Sequence, residues 1–448
     1  MTDALDRYIA ENKPRFVDEL RELCSIPCEA SDPEALRRAA DWCRDRLAAA
    51  GLTSRQVTVD EVPPLVVGDG GTGKRTLIGV QHYDVQPAVP LELWATPPYE
   101  PAVRDGAVYA RGVSDNKGHL LLRIQAVEAH RAVYGELPIR LRFLIEGEEE
   151  SGSVNLHRLL EKEPTLVDGD GALKEGGGMD DAGRQHLALG NKGIFYCELR
   201  ARTLAKDAHS AGAPYLPNAA WRLVDALRTL LDPDGRVRVA GFYDKVRTPT
   251  AEERALASAA PFEPEVKKRL YAIERFAFGR DDEAASLAAT LEPTCNVCGI
   301  WSGYTGPGSK TVIPAQAAAK LDFRLVPDQD PAEVERLLRT HLDENGFADI
   351  ELLASEGERP YRGPIDDPLV RATKAVAEEA FGTSAVVVPN GGGTSPMWLV
   401  SHRRKLANVT LGMSHPGSGA HAPNEHILLE NYRRALRATT RLYSQYAI

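Results

Sequence analysis

The sequence predicts an α/β protein of two domains, one of which is inserted into the other. Alternating strand and helix patterns fill the first 195 residues, change in character between residues 196 and 359, and resume from residue 360. The chain has 448 residues, 43% of them hydrophobic, which is more than one core usually holds. We therefore expect a discontinuous first domain at 1–195 and 360–448 and a second domain at 196–359.

The first domain begins with helices and continues into a sheet. Apolar residues recur at helical spacing over residues 3–50, and Gly51 ends the second helix. A strand at 75–87, a helix at 119–135 and a strand at 138–150 then form a βαβ unit. Since such a unit joins parallel strands, part of the sheet should be parallel and covered by helices. Further strands and a hairpin at Asp105-Gly106 make it a mixed sheet.

The second domain has a βαββαβ order of elements. A charged helical insert at 250–278 interrupts this order after the first helix. Without the insert, the pattern is complete in itself and predicts a ferredoxin-like α+β domain. From residue 360 onward, helix and strand patterns return to the first domain and lead to a loop at 419–426 and a C-terminal helix.

Composition and charge exclude several classes of partner. The net charge of −10 disfavours nucleic acid and anionic membranes, so we expect a small-molecule substrate. No apolar stretch approaches the roughly 20 residues that a membrane span needs. The N-terminus is charged and amphipathic without a secretory apolar segment, which favours a cytoplasmic location. The six cysteines are expected to be free thiols, and the strand pattern around Cys295 and Cys298 argues against a structural zinc site there.

His82 and Asp84 stand two residues apart at the end of an apolar run. If that run is a strand, both side chains leave its carboxyl end on one face, where open α/β sheets place their chemistry. Hard or borderline metal ligands also occur in later loops. Paired metal sites need one bridging carboxylate and terminal ligands for each ion. That requirement is met by His82, Asp115, Glu150, Glu175 and His421.

This ligand set suits two Zn²⁺ ions, with Mn²⁺ or Co²⁺ as alternatives of similar geometry. Asp84 would orient His82 by accepting its other ring N–H. Two adjacent glutamates follow a buried-type strand, and one of them can bind metal while the other acts as a general base. We assign Glu149 as the base and Glu150 as the ligand.

Seven motifs together resemble a known family of enzymes. They are HYDVQP, GVSDNKGH, EGEEESGS, DAHSAGAP, GSKTVIP, FRLVP and GAHAPNEH. In combination they resemble the clan MH dinuclear zinc exopeptidases, a family that includes carnosinase, succinyl-diaminopimelate desuccinylase, aminoacylase and glutamate carboxypeptidase. The likeness is strongest to the branch of carnosinase and cytosolic nonspecific dipeptidase, and it extends from about residue 15 to the C-terminus.

The resemblance implies a role for each candidate ligand. His82 and Glu175 would bind one metal, Glu150 and His421 the other, and Asp115 would bridge them, with a water between the metals as nucleophile. The peptide bond after Asp115 would be cis. In place of Glu175 the dipeptidase branch often has aspartate, so Asp180 and Asp181 remain rivals.

The resemblance also implies roles for the inserted domain as lid and dimerisation domain. His209 would reach across a homodimer to stabilise the oxyanion. Arg324 and Thr311 would lie near the substrate carboxylate, and Thr394 would line the same pocket. The expected activity is hydrolysis of dipeptides or short peptides. The alternative is an amidohydrolase of N-acyl or N-carbamoyl amino acids with the same two-metal chemistry, and a non-catalytic binding protein is a third hypothesis.

Overall fold

In the computed structural model, which describes residues 3–355 and 357–448, the chain divides into two compact units. Unit 1 comprises Met1–Gly190, Arg362–Pro389 and Ser395–Ile448, and unit 2 comprises Asn191–Tyr361 and Asn390–Thr394. The sequence pattern placed residues 390–394 with the first domain. They group with unit 2 instead, where the carbonyl of Gly393 accepts a hydrogen bond from the Lys192 N–H at 3.0 Å.

The structure describes twelve α-helices of five to 21 residues. They are α1 (Ala4–Cys24), α2 (Pro33–Ala49), α3 (Lys117–Tyr134), α4 (Leu156–Lys162), α5 (Ala219–Leu227), α6 (Ala251–Ala259), α7 (Pro264–Leu270), α8 (Asp282–Leu291), α9 (Pro331–Glu344), α10 (Pro368–Phe381), α11 (Met397–Ser401) and α12 (Leu429–Gln445). Each helix from 3 to 448, with residue 356 left aside, is too short or too polar to cross a bilayer.

The strands range from two to ten residues. They are β1 (Thr53–Val57), β2 (Leu65–Gly70), β3 (Thr76–His82), β4 (Ala102–Arg104), β5 (Ala107–Tyr109), β6 (Arg140–Glu146), β7 (Gly171–Lys174), β8 (Gly178–Met179), β9 (Gln185–Ala188), β10 (Gly190–Asn191), β11 (Gly193–Arg202), β12 (Ala208–His209), β13 (Thr294–Ser302), β14 (Val312–Ile313), β15 (Gln316–Leu325), β16 (Glu351–Ala354), β17 (Tyr361–Arg362), β18 (Val386–Val388), β19 (Ala407–Thr410) and β20 (His426–Leu428).

The main sheet of unit 1 is mixed, as the sequence predicts. Its strand order is β1-β2-β6-β3-β7-β19. The pairs β3 with β6, β3 with β7 and β7 with β19 are parallel, whereas β1 with β2 and β2 with β6 are antiparallel. The predicted βαβ unit is confirmed as β3, α3 and β6. Helix α3 is buried along most of its length, including polar side chains such as His119, Arg123 and Gln125.

The sheet of unit 2 has the order β13-β15-β11-β16, and its three pairings are all antiparallel. Alternate residues of β11 and β15 face a core that includes Leu199 and Phe323 and also contains residues of α5 and α9. The predicted βαββαβ order is therefore confirmed. The opposite face of β11 and β15 carries polar and charged residues, among them Lys320 and Arg324.

Two local predictions need refinement. The helical insert is not one helix: α6 ends at Ala259, and Pro264 begins α7 at a position that a proline ring tolerates. The chain then adds α8 before β13. The sequence pattern predicted no helix or strand between residues 395 and 405. The short helix α11 lies in this stretch, between the turn at residues 390–394 and β19.

Candidate metal centre

His82 is the last residue of β3, and its side chain is buried. Its Nδ1 lies 3.2 Å from the carbonyl oxygen of Asp84 and 3.3 Å from Asp84 Oδ1. The other carboxylate oxygen of Asp84 accepts a hydrogen bond from the backbone N–H of Glu150 at 3.0 Å. Asp84 therefore contacts both an imidazole at the end of β3 and the loop that follows β6.

Asp115 precedes α3 and lies between two imidazoles. Its Oδ1 is 3.2 Å from Nε2 of His82, and its Oδ2 is 3.1 Å from Nε2 of His421. The peptide bond from Asp115 to Asn116 is cis, as the resemblance implied. One carboxylate thus directs its two oxygens toward two different histidines, which is the arrangement that a bridging ligand requires.

Glu150 completes a cluster with Asp115 and His421. Its Oε2 lies 3.2 Å from Nε2 of His421 and accepts a hydrogen bond from Gln86 at 3.1 Å. Its Oε1 is buried and has no hydrogen-bond partner in the part of the chain that the structure describes. One ligand atom from each member of the cluster lies within 4.8 Å of the others. Imidazole nitrogen and carboxylate oxygens in this number and spacing fit a divalent cation such as Zn²⁺.

Glu149 and Glu175 are two further acidic residues near the cluster, since Glu149 lies near His82 and the charge of Glu175 acts on Glu149. Oε2 of Glu149 is 3.9 Å from Nε2 of His82. Removal from water raises the pKa of Glu149 well above its usual value, and the negative charge of Glu175 raises it further. Glu175 follows directly on β7 and is buried. A cation bound near Glu149 and Glu175 would offset the mutual repulsion of their negative charges.

The rival acidic ligands have other environments. Asp180 accepts hydrogen bonds from the backbone and side chain of Arg184 and lies 3.3 Å from Nε2 of His186. Asp181 is exposed. Of the three acidic residues in this stretch, Glu175 is the one whose charge acts on Glu149.

Carboxylate neighbours raise the pKa of both histidines of the site. Hydrogen bonds to Asp115 and Glu150 raise the pKa of His421 to about 10. Burial opposes charge on His82, but its bonds to Asp115 and Asp84 outweigh burial and raise its pKa. The loss of hydration at Asp115 is likewise outweighed by the two imidazoles, and its pKa is lowered. Divalent metal ions can replace the protons of these histidines, because they supply positive charge to the same carboxylates and imidazoles.

The remaining candidate residues belong to unit 2. Nη1 of Arg324 donates a hydrogen bond to the Thr394 hydroxyl at 2.6 Å. His209 is exposed, and its Nδ1 accepts a hydrogen bond from the Ala211 N–H at 3.1 Å. The carbonyl of Thr311 accepts a hydrogen bond from the backbone N–H of Ser210 next to His209. Arg324 therefore contacts Thr394 directly, whereas Thr311 contacts the residue that follows His209.

Several polar residues near the ligands had no assignment from sequence. Gln86 binds Glu150, as described above. The buried guanidinium of Arg123 donates to the carbonyls of Lys174 and Gly176, which flank Glu175. Glu425 is buried beside Asp115. Gln86 lies in the motif HYDVQP and Glu425 in the motif GAHAPNEH, so the sequence did mark both positions. A motif does not show whether a polar side chain is buried.

The fold and site can now be compared with known proteins. The model of Peptidase family M20/M25/M40 matches residues 80–445. Human Beta-Ala-His dipeptidase is 29% identical over 95% of this chain and 89% of its own length. The Cys-Gly metallodipeptidase dug1 of Schizosaccharomyces pombe is 27% identical over 97% of this chain and 96% of its own length.

Solved structures give the same result. The M20 family metallo-carboxypeptidase Sso-CP2 from Sulfolobus solfataricus superposes with a TM-score of 0.90 at 37% identity, covering 96% of this chain and 99% of that one. Human carnosine dipeptidase 1 superposes with a TM-score of 0.79 at 28% identity, covering 99% of each chain. The chain belongs to Peptidase family M20/M25/M40 and is a metallopeptidase, a hydrolase. The predicted family and enzyme class are confirmed.

Proposed function

We propose that this chain is a metal-dependent exopeptidase that hydrolyses dipeptides and other short peptides. The observation that carries the proposal is the cluster of Asp115, Glu150 and His421, whose ligand atoms lie within 4.8 Å of one another. The names of the human and fission-yeast relatives, both dipeptidases, support a dipeptide as the substrate.

The proposed cofactor is a pair of divalent metal ions, Zn²⁺ or, with the same ligands, Mn²⁺ or Co²⁺. His82 and Glu175 would bind one ion, Glu150 and His421 the other, and Asp115 both. The division is supported by the two oxygens of Asp115, each of which lies near a different histidine. The unpartnered Oε1 of Glu150 supports it too, because a buried carboxylate oxygen without a donor is costly unless a cation binds it.

Glu149 is proposed as the group that moves the proton. When bound, the metal ions lower the pKa of a water molecule and polarise the scissile carbonyl. Glu149 then accepts the proton that the attacking water loses and donates it to the nitrogen of the leaving amine. Its position supports this role, because its Oε2 lies 3.9 Å from Nε2 of His82, beside the candidate metal ligands.

Arg324 is proposed to bind the carboxylate of the substrate, with Thr394 and Thr311 beside it. Guanidinium groups bind carboxylates through paired N–H donors. One donor of Arg324 is used by the Thr394 hydroxyl, and its Nε lies 4.0 Å from Asp322, so further donors remain for a ligand. Recognition of a free carboxylate end would restrict the enzyme to short substrates or to the last residue of a peptide.

His209 is proposed to stabilise the oxyanion of the tetrahedral intermediate from the partner of a homodimer. Because its Nδ1 accepts a hydrogen bond, the neutral ring carries its proton on Nε2 and can donate it outward. A single oxyanion donor of this kind contributes about 3–4 kcal/mol to transition-state stabilisation.

The proposed partner is a second copy of this chain, which would bind at β13. Among the described strands, β13 lies at an edge of the unit 2 sheet. It exposes Val297, Ile300 and Trp301. An open edge with apolar side chains can pair with a strand of another molecule and cause aggregation. A dimer that covers this edge would prevent such pairing.

We also propose a cytoplasmic location. The six cysteines are all free, and Cys24, Cys28, Cys43 and Cys197 are buried. Unpaired thiols in this number suit a reducing compartment.

The test is a set of matched substrates offered to protein reconstituted with Zn²⁺ or Mn²⁺. The set is Ala-Ala, N-acetyl-Ala-Ala, N-acetyl-Ala and tetra-alanine. We expect turnover of Ala-Ala, with little or none of N-acetyl-Ala. Turnover of N-acetyl-Ala alone would instead assign the amidohydrolase activity and overturn the proposal.

A second candidate is a carboxypeptidase, which the similarity to the Sulfolobus solfataricus metallo-carboxypeptidase favours. It would release alanine from the carboxyl end of both N-acetyl-Ala-Ala and tetra-alanine. A strict dipeptidase requires the free amino group and leaves both intact, a result that would narrow the proposed activity from short peptides to dipeptides. No turnover of any member, with both metals bound, would favour a non-catalytic binding protein.

A further inference from the structure

Glu425 is a fully buried carboxylate that the mechanism above does not use. It lies four residues after His421 and directly before β20. Its side chain has no exposed surface. Because a buried charge is costly without compensation, its contacts should reveal what it does.

Both oxygens of Glu425 accept hydrogen bonds from the turn that carries Asp115. Oε1 accepts from the backbone N–H groups of Ser114 at 2.7 Å and Asp115 at 2.9 Å. Oε2 accepts from Nη1 of Arg111 at 2.7 Å and from the N–H of Gly112 at 2.9 Å. All four partners are donors, which is the pattern of an ionised carboxylate.

Strand pairing brings Glu425 to this turn. β20 pairs with β5, and the backbone ladder continues beyond the strands with a hydrogen bond from the Ala110 N–H to the Glu425 carbonyl at 3.1 Å. The next residue back, Asn424, is also fixed, since its side chain donates to the Leu93 carbonyl at 2.9 Å. The loop between His421 and β20 is therefore attached to the body of unit 1 at its end.

We propose that Glu425 is a positioning residue that sets the distance between two metal ligands, Asp115 and His421. Glu425 accepts a hydrogen bond from the backbone N–H of Asp115, and it belongs to the same loop as His421. Bonds to two consecutive N–H groups orient the peptide between Ser114 and Asp115, and that orientation directs the Asp115 side chain. This inference rests on the proposed two-metal function.

The test is Glu425→Gln. Whichever way the amide is turned, its NH₂ group faces two N–H donors, so two hydrogen bonds are replaced by unfavourable contacts. We expect the affinity for Co²⁺ to fall about 10- to 100-fold, the range typical when a group that orients a metal ligand is changed. The measurement is a Co²⁺ titration of the metal-free protein, followed by visible absorption, whose band shape should also change as the ligands shift.

The matched control is Glu253→Gln in unit 2. Glu253 is also buried, and it accepts hydrogen bonds from Arg247 at 2.6 Å and from the Thr250 N–H at 2.8 Å. Its glutamine variant also turns an NH₂ group toward a buried donor, but in unit 2, whereas the candidate metal ligands all belong to unit 1. We expect a loss of thermal stability with Co²⁺ affinity and spectrum unchanged.

Glu425→Asp provides a second variant should the glutamine form fail to fold. Its charge remains but its side chain is one methylene shorter, so we expect an intermediate loss of Co²⁺ affinity. Wild-type affinity in both Glu425 variants, or an equal loss in Glu253→Gln, would overturn the inference alone. A wild-type protein that binds no Co²⁺ would overturn the proposed function and this inference together.

Discussion

Two adjacent glutamates of the same loop have different surroundings. Glu150 contacts His421 and Gln86 and has one oxygen without a donor. Glu149 instead lies near His82, and the negative charge of Glu175 raises its pKa. Glu149 and Glu150 lie in a single turn of 3₁₀ helix, in which consecutive side chains point in different directions, so one can bind metal while its neighbour accepts and donates a proton.

The first prediction concerns Glu149→Gln. We expect kcat to fall at least about 10³-fold, because the amide cannot accept a proton and general bases contribute roughly 10²–10⁴-fold. The metal content should stay at two ions per chain, as measured by mass spectrometry of the purified protein.

Glu148→Gln is the matched control for this prediction. Glu148 accepts hydrogen bonds from the backbone and side chain of Asn155 rather than contacting a candidate ligand. It should retain kcat within a few fold. Loss of metal in Glu149→Gln with metal retained in Glu150→Gln would reverse the two assignments.

At the scale of elements, parallel strands explain why the ligands meet. β3 ends at His82, β6 precedes the loop of Glu149 and Glu150, and β7 ends one residue before Glu175. Since β3 is parallel to both β6 and β7, their carboxyl ends lie at one edge of the sheet. The remaining ligands are supplied by the turn before α3 and the loop before β20.

The second prediction concerns the edge strand β13. Ile300→Lys should convert the proposed dimer to a monomer, because a charge at an edge prevents apolar pairing. The mass of the protein in solution, from light scattering after size-exclusion chromatography, measures this change.

The control is Leu270→Lys on α7, where an exposed apolar residue lies in the helical insert. This variant should have the same mass as the wild type. Dimers that persist in Ile300→Lys would show that β13 is not the interface. A monomeric wild type would contradict the proposed partner.

At the scale of the whole molecule, the two units have separate buried cores. All five candidate ligands lie in unit 1, whereas Phe323 lies in the core of unit 2. Ligand binding stabilises the folded state that holds the ligands. Metal binding and the packing of the unit 2 core should therefore be independent properties.

The third prediction compares metal removal with a core substitution. Removal of metal by a chelator should lower the unfolding midpoint by about 5–10 °C, given about 2.7 kcal/mol of stabilisation at a hundredfold excess over Kd. Phe323→Ala should destabilise unit 2 by about 3–5 kcal/mol while the metal affinity stays unchanged. Calorimetry and metal titration measure the two effects, and a weaker metal affinity in Phe323→Ala would contradict their independence.

Local sequence patterns determined the architecture. Apolar periodicity identified the βαβ unit and the βαββαβ order, and the pair Asp105-Gly106 identified a hairpin whose residues adopt φ values of 51° and 77°. Motifs in loops after strands identified the candidate ligands. Each of these features depends only on residues close in sequence, so each could be predicted from a short stretch of the chain.

Only the tertiary structure decided which polar residues support the site. Arg111 and Glu425 are 314 positions apart, and their contact exists because β20 pairs with β5. Likewise, the contacts of Asp180 with Arg184 and His186 support the proposal that Glu175 rather than Asp180 is the ligand. A buried carboxylate and an exposed one have the same sequence signature, because burial is a property of the neighbours that folding brings together.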